Sequence, residues 1–223
     1  STIPPPSKSE LPMRPVICMI TDGRLAAGRD GAALVEKIRS AAQAGVHLIQ
    51  LRERNLDDRE LAALAGACVS AVRGTRARIV VNDRVDVALA VGIHAVHLGR
   101  DDLDVATARR MLGTEGLIGG TANSLAEALR LAATDVDYLG VGPVFGTRSK
   151  AHPAPPLGLD GFRAIAGAVS KPVIAIGSIT ADCVQSLLEA GAYGVAVLSA
   201  IVCQPDPEAS TRKFRAAVDA WLG

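Results

Sequence analysis

The sequence has almost no net charge, no CxxC pair, no apolar run of bilayer length and no GxGxxG turn, and each absence removes a class of function. Lys and Arg total 24 against 23 Asp and Glu, a formal net charge of +1, so the broad basic face of a general nucleic-acid binder is missing. Cys18, Cys68, Cys183 and Cys203 are scattered without metal-ligand or redox spacing, and read as reduced thiols of an intracellular protein. No stretch approaches the ~20 apolar residues that cross a bilayer, and the N-terminus has no signal-peptide core. The expectation is a soluble, cytoplasmic chain with neither nucleic acid nor membrane as partner. There is also no convincing Ser-His-Asp set and no Cys-His pair.

What remains is a chain of 223 residues, 49% of them hydrophobic, which supplies the core of one sizeable domain. Residues 1–15, STIPPPSKSELPMRP, are proline-rich and aperiodic and read as a flexible or surface-lying leader. From Val16 a repeat begins. The runs VICMIT, HLIQLR, RIVVND, AVHLG, LIGGT, DYLGVG, PVIAIG and GVAVLS alternate with Ala- and Leu-rich segments of helical period, such as DGAALVEKIRSAAQAG and DDRELAALAGACVSAV. Strand and helix in alternation mean a parallel sheet, and the eight runs point to a single-domain α/β fold, a (β/α)8 TIM barrel over residues 16–223. A doubly wound open sheet would call for a glycine-rich phosphate turn after the first strand, where TDGRLAAG stands instead.

In such a barrel the chemistry sits where the strands end. The second run ends in Gln50-Leu51-Arg52-Glu53-Arg54, and alternation sends Gln50, Arg52 and Arg54 to one side. The third and fourth runs end in Asn82-Asp83 and near Asp101-Asp102. Taken singly, Asp83 and Asp102 are as well explained as helix N-caps. Together on adjacent strands they offer two hard oxygen ligands to one Mg²⁺. Asp86 and Asp101 are weaker candidates, and His97 reads as a satisfied core histidine. The sixth run leads into GVGPVFGTRSK, where Thr147, Ser149 and Lys150 gather two hydroxyls and an ammonium suited to phosphate. After the seventh and eighth runs, Gly177, Ser178, Leu198 and Ser199 suit a backbone phosphate cradle. A site made of cations, a metal pair and anion-binding loops fits a departing pyrophosphate, or two phosphorylated substrates held side by side.

In order and spacing, QLRER, VNDRVDVAL, VHLGRDDL, GVGPVFGTRSK, AIGSIT and GVAVLSAI resemble the motifs of the thiamine-phosphate synthase family over about residues 16–203. Thiazole tautomerases share this fold and several of the motifs. The resemblance to the synthases implies a transferase of thiamine biosynthesis that joins hydroxymethylpyrimidine pyrophosphate to thiazole phosphate. It implies Mg²⁺ on Asp83 and Asp102, pyrophosphate on Arg52, Asn82 and Lys150, and the pyrimidine on Gln50. Thr147 and Ser149 would help bind the thiazole phosphate, whose phosphate would rest on the backbone of Gly177, Ser178 and Ser199. Four positions depart from the family pattern: Arg54 replaces Lys, Arg100 replaces Gln, Thr121 replaces a Ser while keeping a hydroxyl at the substrate site, and Ser178 replaces a Gly. The tautomerase branch commonly has a His after the fifth strand, where this chain has Asn123. A third reading is a catalytically weak barrel that binds a phosphorylated metabolite. Small phosphorylated molecules are the expected partners, with a homo-oligomer left open.

Overall fold

The computed structural model describes residues 11–23, 31–147 and 154–223. Eight parallel strands close into a barrel in the order β1-β2-β3-β4-β5-β6-β7-β8. They are β1 (Val16–Ile20), β2 (Leu48–Leu51), β3 (Arg78–Asn82), β4 (Ala95–Leu98), β5 (Leu117–Ala122), β6 (Tyr138–Val141), β7 (Val173–Ile176) and β8 (Gly194–Val197). Each lies within two residues, at either end, of a run read from the sequence. Closure is a register between chain ends, with Val16 opposite Gly194 and Met19 opposite Val197.

The helices are α1 (Gly31–Gln43), α2 (Asp58–Ala71), α3 (Val85–Ala90), α4 (Val105–Leu112), α5 (Leu125–Ala132), α6 (Gly158–Ala168), α7 (Val184–Glu189) and α8 (Pro207–Leu222). Local chemistry starts several of them. Asp57 caps α2 in a reciprocal box with Glu60, and Asp104, Ser124 and Asp206 cap α4, α5 and α8, each satisfying an N–H that the first turn leaves unpaired. At the other end of the units, Gly45, Gly92 and Gly191 take φ of 105°, 74° and 99°, which ends a helix with no Cβ penalty.

Alternation along the strands divides two environments. Ile17, Met19, Ile49, Leu51, Val81 and Val96 are at most 1% exposed and form the layer under the helices. The opposite parity, Cys18, Ile20, Gln50, Asn82, His97, Thr121, Tyr138, Ile174 and Ala196, lines the barrel interior and its open end. Residues just before β1 lie against the rest of the molecule. The Pro12 carbonyl accepts from Tyr193, Arg14 donates to the Leu188 carbonyl, and the Arg14 guanidinium stacks 5.0 Å from the Trp221 ring. No helix among the described residues is long and apolar enough to cross a membrane.

Candidate active site

A cavity of about 690 Å³ opens where the strands end, large enough for a drug-sized ligand. Gln50, Arg52, Arg54, Asn82, Asp83, Thr121, Thr147, Gly177, Ser178, Leu198 and Ser199 all line it. Asp102 adjoins it through Gly99, whose N–H donates to Asp102 Oδ2 at 2.6 Å. Ser149 and Lys150 lie outside the described residues, as does Arg148.

The two acids are not caps. Arg84 stands at the N-cap of α3 with no side-chain capping bond, and Asp104 caps α4. Asp83 instead takes a left-handed φ of 65° at the end of β3, a conformation that Asp tolerates better than most residues. Glycine at position 99 lets the carboxylates converge: a Cβ there would stand 2.6 Å from Asp102 Oδ2 and 3.8 Å from Asp83 Oδ1. Asp83 Oδ1 is buried and meets no hydrogen-bond donor among the described residues. Burial first, and then the neighbouring Asp102 carboxylate, push the Asp83 carboxyl up to about 7, with Arg54 opposing. Two like charges at one point, one with an orphaned oxygen, are a donor set that a hard divalent cation would satisfy. Asp86 is spent on Arg84 at 2.6 and 2.9 Å, and Asp101 is exposed.

Cations border the pair. Arg54 Nη2 reaches Asp83 Oδ2 at 3.4 Å from a mostly exposed side chain. Arg52 is half-buried, and burial followed by repulsion from Arg54 holds its guanidinium below the usual value. Deeper in, Gln50 and Asn82 are 5% and 9% exposed, and Gln50 Nε2 donates to Asn82 Oδ1 at 2.6 Å. That bond leaves the Gln50 carbonyl and the Asn82 amide N–H groups to face a ligand. Across the mouth, Gly177 has φ 110°, and a Cβ there would come within 2.6 Å of Pro143 Cα and 2.8 Å of the Gly146 carbonyl. Ser178 follows with φ 49°. The chain then enters a 3-10 turn, Ala181–Cys183, rather than an α-helix.

Residues that the sequence did not mark as site candidates also line or support the site. Asp22 lines the cavity at the end of β1, and the strand-end rule applied to VICMITD would have found it. Glu53, 5% exposed, accepts from the Gly23 N–H at 3.4 Å, pinning the turn after β1 to the chain just after β2. His97 packs at 8% exposure and lines the cavity, so it is satisfied, as expected, but on the ligand side. Asn123 also lines the cavity, and its amide donates to the Gly142 carbonyl.

A family model described as thiamine monophosphate synthase matches residues 17–201. The chain belongs to the thiamine monophosphate synthase family. A relative from Roseiflexus sp. named thiamine-phosphate synthase is 39% identical over 93% of this chain and 86% of its own length. One of the same name from Chloroflexus aurantiacus is 42% identical over 90% and 91%. Among solved structures, thiamine phosphate pyrophosphorylase from Pyrococcus furiosus superposes with a TM-score of 0.82 at 36% identity, covering 93% of this chain and 97% of that one. In this member of the family, the closed barrel and the strand-end polar groups occupy the span that the family model matches.

Proposed function

We propose that this family member is a thiamine-phosphate synthase, a transferase that joins hydroxymethylpyrimidine pyrophosphate to thiazole phosphate and releases pyrophosphate. The observation that carries the reading is the carboxylate pair Asp83 and Asp102, converging on Gly99 beside Arg52 and Arg54 at the mouth of a ligand-sized cavity. Asp83 and Asp102 would hold Mg²⁺, whose chemistry is Lewis-acid neutralisation of the leaving pyrophosphate oxygens.

The remaining work falls to the chain. The C–O bond between the pyrimidine methylene carbon and the pyrophosphate breaks with its electron pair leaving on oxygen. The thiazole nitrogen then supplies the pair for the new C–N bond. Arg52 and Arg54 hold negative charge as it accumulates on the leaving group, with Lys150 in the same role, so the departing anion needs no proton. Gln50 and Asn82 orient the pyrimidine edge and the adjoining phosphate. Thr147 and Ser149 position the thiazole partner, and the turns at Gly177-Ser178 and Leu198-Ser199 carry its phosphate. Holding both substrates in one cavity turns the bond-forming step into a local event. Asn123 is an amide engaged with a backbone carbonyl, which disfavours the proton-transfer chemistry of a tautomerase at that position.

The test is an assay of purified protein with both substrates, with and without Mg²⁺, following thiamine phosphate and pyrophosphate. Mg²⁺-dependent product is expected. Absence of product under conditions in which the Chloroflexus aurantiacus relative turns over would reject the reading.

A further inference from the structure

The turn that follows β8 is tied down by an element that the site does not otherwise use. In α1, Leu34, Ile38, Ala41 and Ala42 are buried, and Lys37, one helical turn from Leu34 and from Ala41, lies at the edge of that face. From there Lys37 Nζ donates to the Val202 carbonyl at 2.9 Å and to the Gln204 carbonyl at 2.7 Å. Among the described residues both partners are backbone carbonyls and neither is a carboxylate. An ammonium that water would hydrate strongly is spent here on fixing main chain rather than on pairing charge.

The segment it fixes is one tight turn. The Leu198 carbonyl accepts from the Ile201 and Val202 N–H groups at 3.2 and 3.1 Å, and the Ile201 carbonyl from the Gln204 N–H at 3.1 Å. Gln204 Nε2 reaches back to the Ser199 carbonyl at 2.9 Å. Ile201 and Val202 are fully buried and root the middle of the turn in the core. Pro205 and Pro207 follow, and without their N–H groups the chain cannot carry the turn onward, so carbonyls at its end are left to an outside donor. At the other side of the same turn Leu198, Ser199, Ala200 and Cys203 line the cavity, whereas Lys37 does not.

We infer that Lys37 is a positioning residue for the phosphate of the thiazole substrate: it holds residues 198–204 from behind, so that Ser199 and Ala200 stand at the cavity wall in the geometry that takes the phosphate. This rests on the reading of that turn as the phosphate carrier, but the tether itself does not. Lys37 touches no substrate and acts through the main chain, with the Gln204 side chain passing the constraint back to Ser199.

Two experiments separate the claims. Lys37→Met keeps the aliphatic stem and the helix propensity of α1 while removing the charge and both hydrogen bonds. Hydrogen exchange in the absence of ligand should speed up by about 3-fold or more at the amides of Ile201, Val202 and Gln204, and not in the strands. Unchanged exchange there overturns the tether whatever the protein catalyses. Steady-state kinetics then read its use. Lys37→Met should raise the KM for thiazole phosphate at least about 10-fold, the scale of one lost hydrogen bond to a charged group, with the KM for hydroxymethylpyrimidine pyrophosphate and kcat within about 2-fold. Both KM values rising together, or a fall in kcat alone, overturns the positioning role. Gln204→Met cuts the tie to Ser199 without changing charge. It should act in the same direction, and the double variant should fall short of the product of the two single effects. Fully multiplicative effects would mean that the Lys37 charge acts on the phosphate through space, which also overturns the inference. A parent protein that joins the two substrates but loses nothing in Lys37→Met rejects the inference alone. One that neither turns over nor binds thiazole phosphate by calorimetry rejects the reading of the turn and the positioning role with it.

Discussion

Asp83 and Asp102 carry opposite risks for the folded chain and for the reaction, and a single isostere separates them. Asp102→Asn keeps an oxygen for the Gly99 N–H and removes one of two like charges, so the melting temperature should hold or rise slightly. Mg²⁺-dependent turnover should fall at least about 100-fold, because one of two hard ligands is lost. A Mg²⁺ titration of activity beside a thermal melt reads both. Ser178 is a different case. Its left-handed φ of 49° costs a residue with a Cβ roughly 1–2 kcal/mol, offset in part by the entropy glycine loses on folding. Ser178→Gly should therefore stabilise by about 0.5–1 kcal/mol, raising the melting temperature by about 1–4 °C, and should lower the KM for thiazole phosphate if the turn carries its phosphate. Sequence motif alone marked Ser178 as a departure from the family; only the backbone angle says that it is also a strained one.

At the level of strands and helices, glycine has opposite meanings in the two. Gly194 on β8 faces β1 so closely that a Cβ would lie 2.2 Å from the Val16 carbonyl, at the register that closes the barrel. Gly194→Ala should cost at least about 3 kcal/mol, or prevent folding, because backbone rather than a flexible side chain must move. Gly66 sits inside α2, where an added Cβ would meet nothing within 4 Å, so Gly66→Ala should gain up to ~1 kcal/mol from helix propensity. Urea unfolding of the two variants checks both signs. The same contrast explains what was legible from sequence. Strands were read correctly because buried parallel strands are continuous β-branched runs bounded by turn residues, and Asn82-Asp83 and QLRER stood out at their ends. The contacts of the His97 ring with the Thr121 and Tyr138 hydroxyls were not, because those residues are 24 and 41 positions away and only the barrel register brings them together. Asp83 and Asp102 could not be told from caps either, since the capping residue of α4 is two positions later and α3 has no side-chain cap at all.

For the whole molecule, closing the barrel joins the first strand to the last, and a histidine beside β1 links that strand to the last helix. His47 Nδ1 accepts from the Ile17 N–H at 2.9 Å, while Arg215 of α8 lies 3.5 Å from Nε2. Burial, then the positive charges of Arg215 and Arg76, lower the His47 pKa from 6.5 to about 4. An imidazolium would turn an N–H against the Ile17 donor and add a third cation at that point. Below pH 6.5 the unfolded chain therefore binds this proton while the folded chain does not, so this contribution to stability is complete above about 6.5 and is lost as pH falls toward 4. With allowance for the partial exposure of His47, the loss across that window is on the order of 1–2 kcal/mol. Asp83 works in the other direction: its raised pKa lets the folded state take up a proton first as pH drops from about 7, which masks part of the histidine effect in the parent protein. The His47 share is isolated by comparison with His47→Gln, whose amide oxygen can still accept from Ile17. Urea unfolding at pH 7 and at pH 4.5 should show the parent losing on the order of 1–2 kcal/mol more than the variant between the two conditions. Equal losses would mean that the site between Ile17 and Arg215 tolerates an imidazolium.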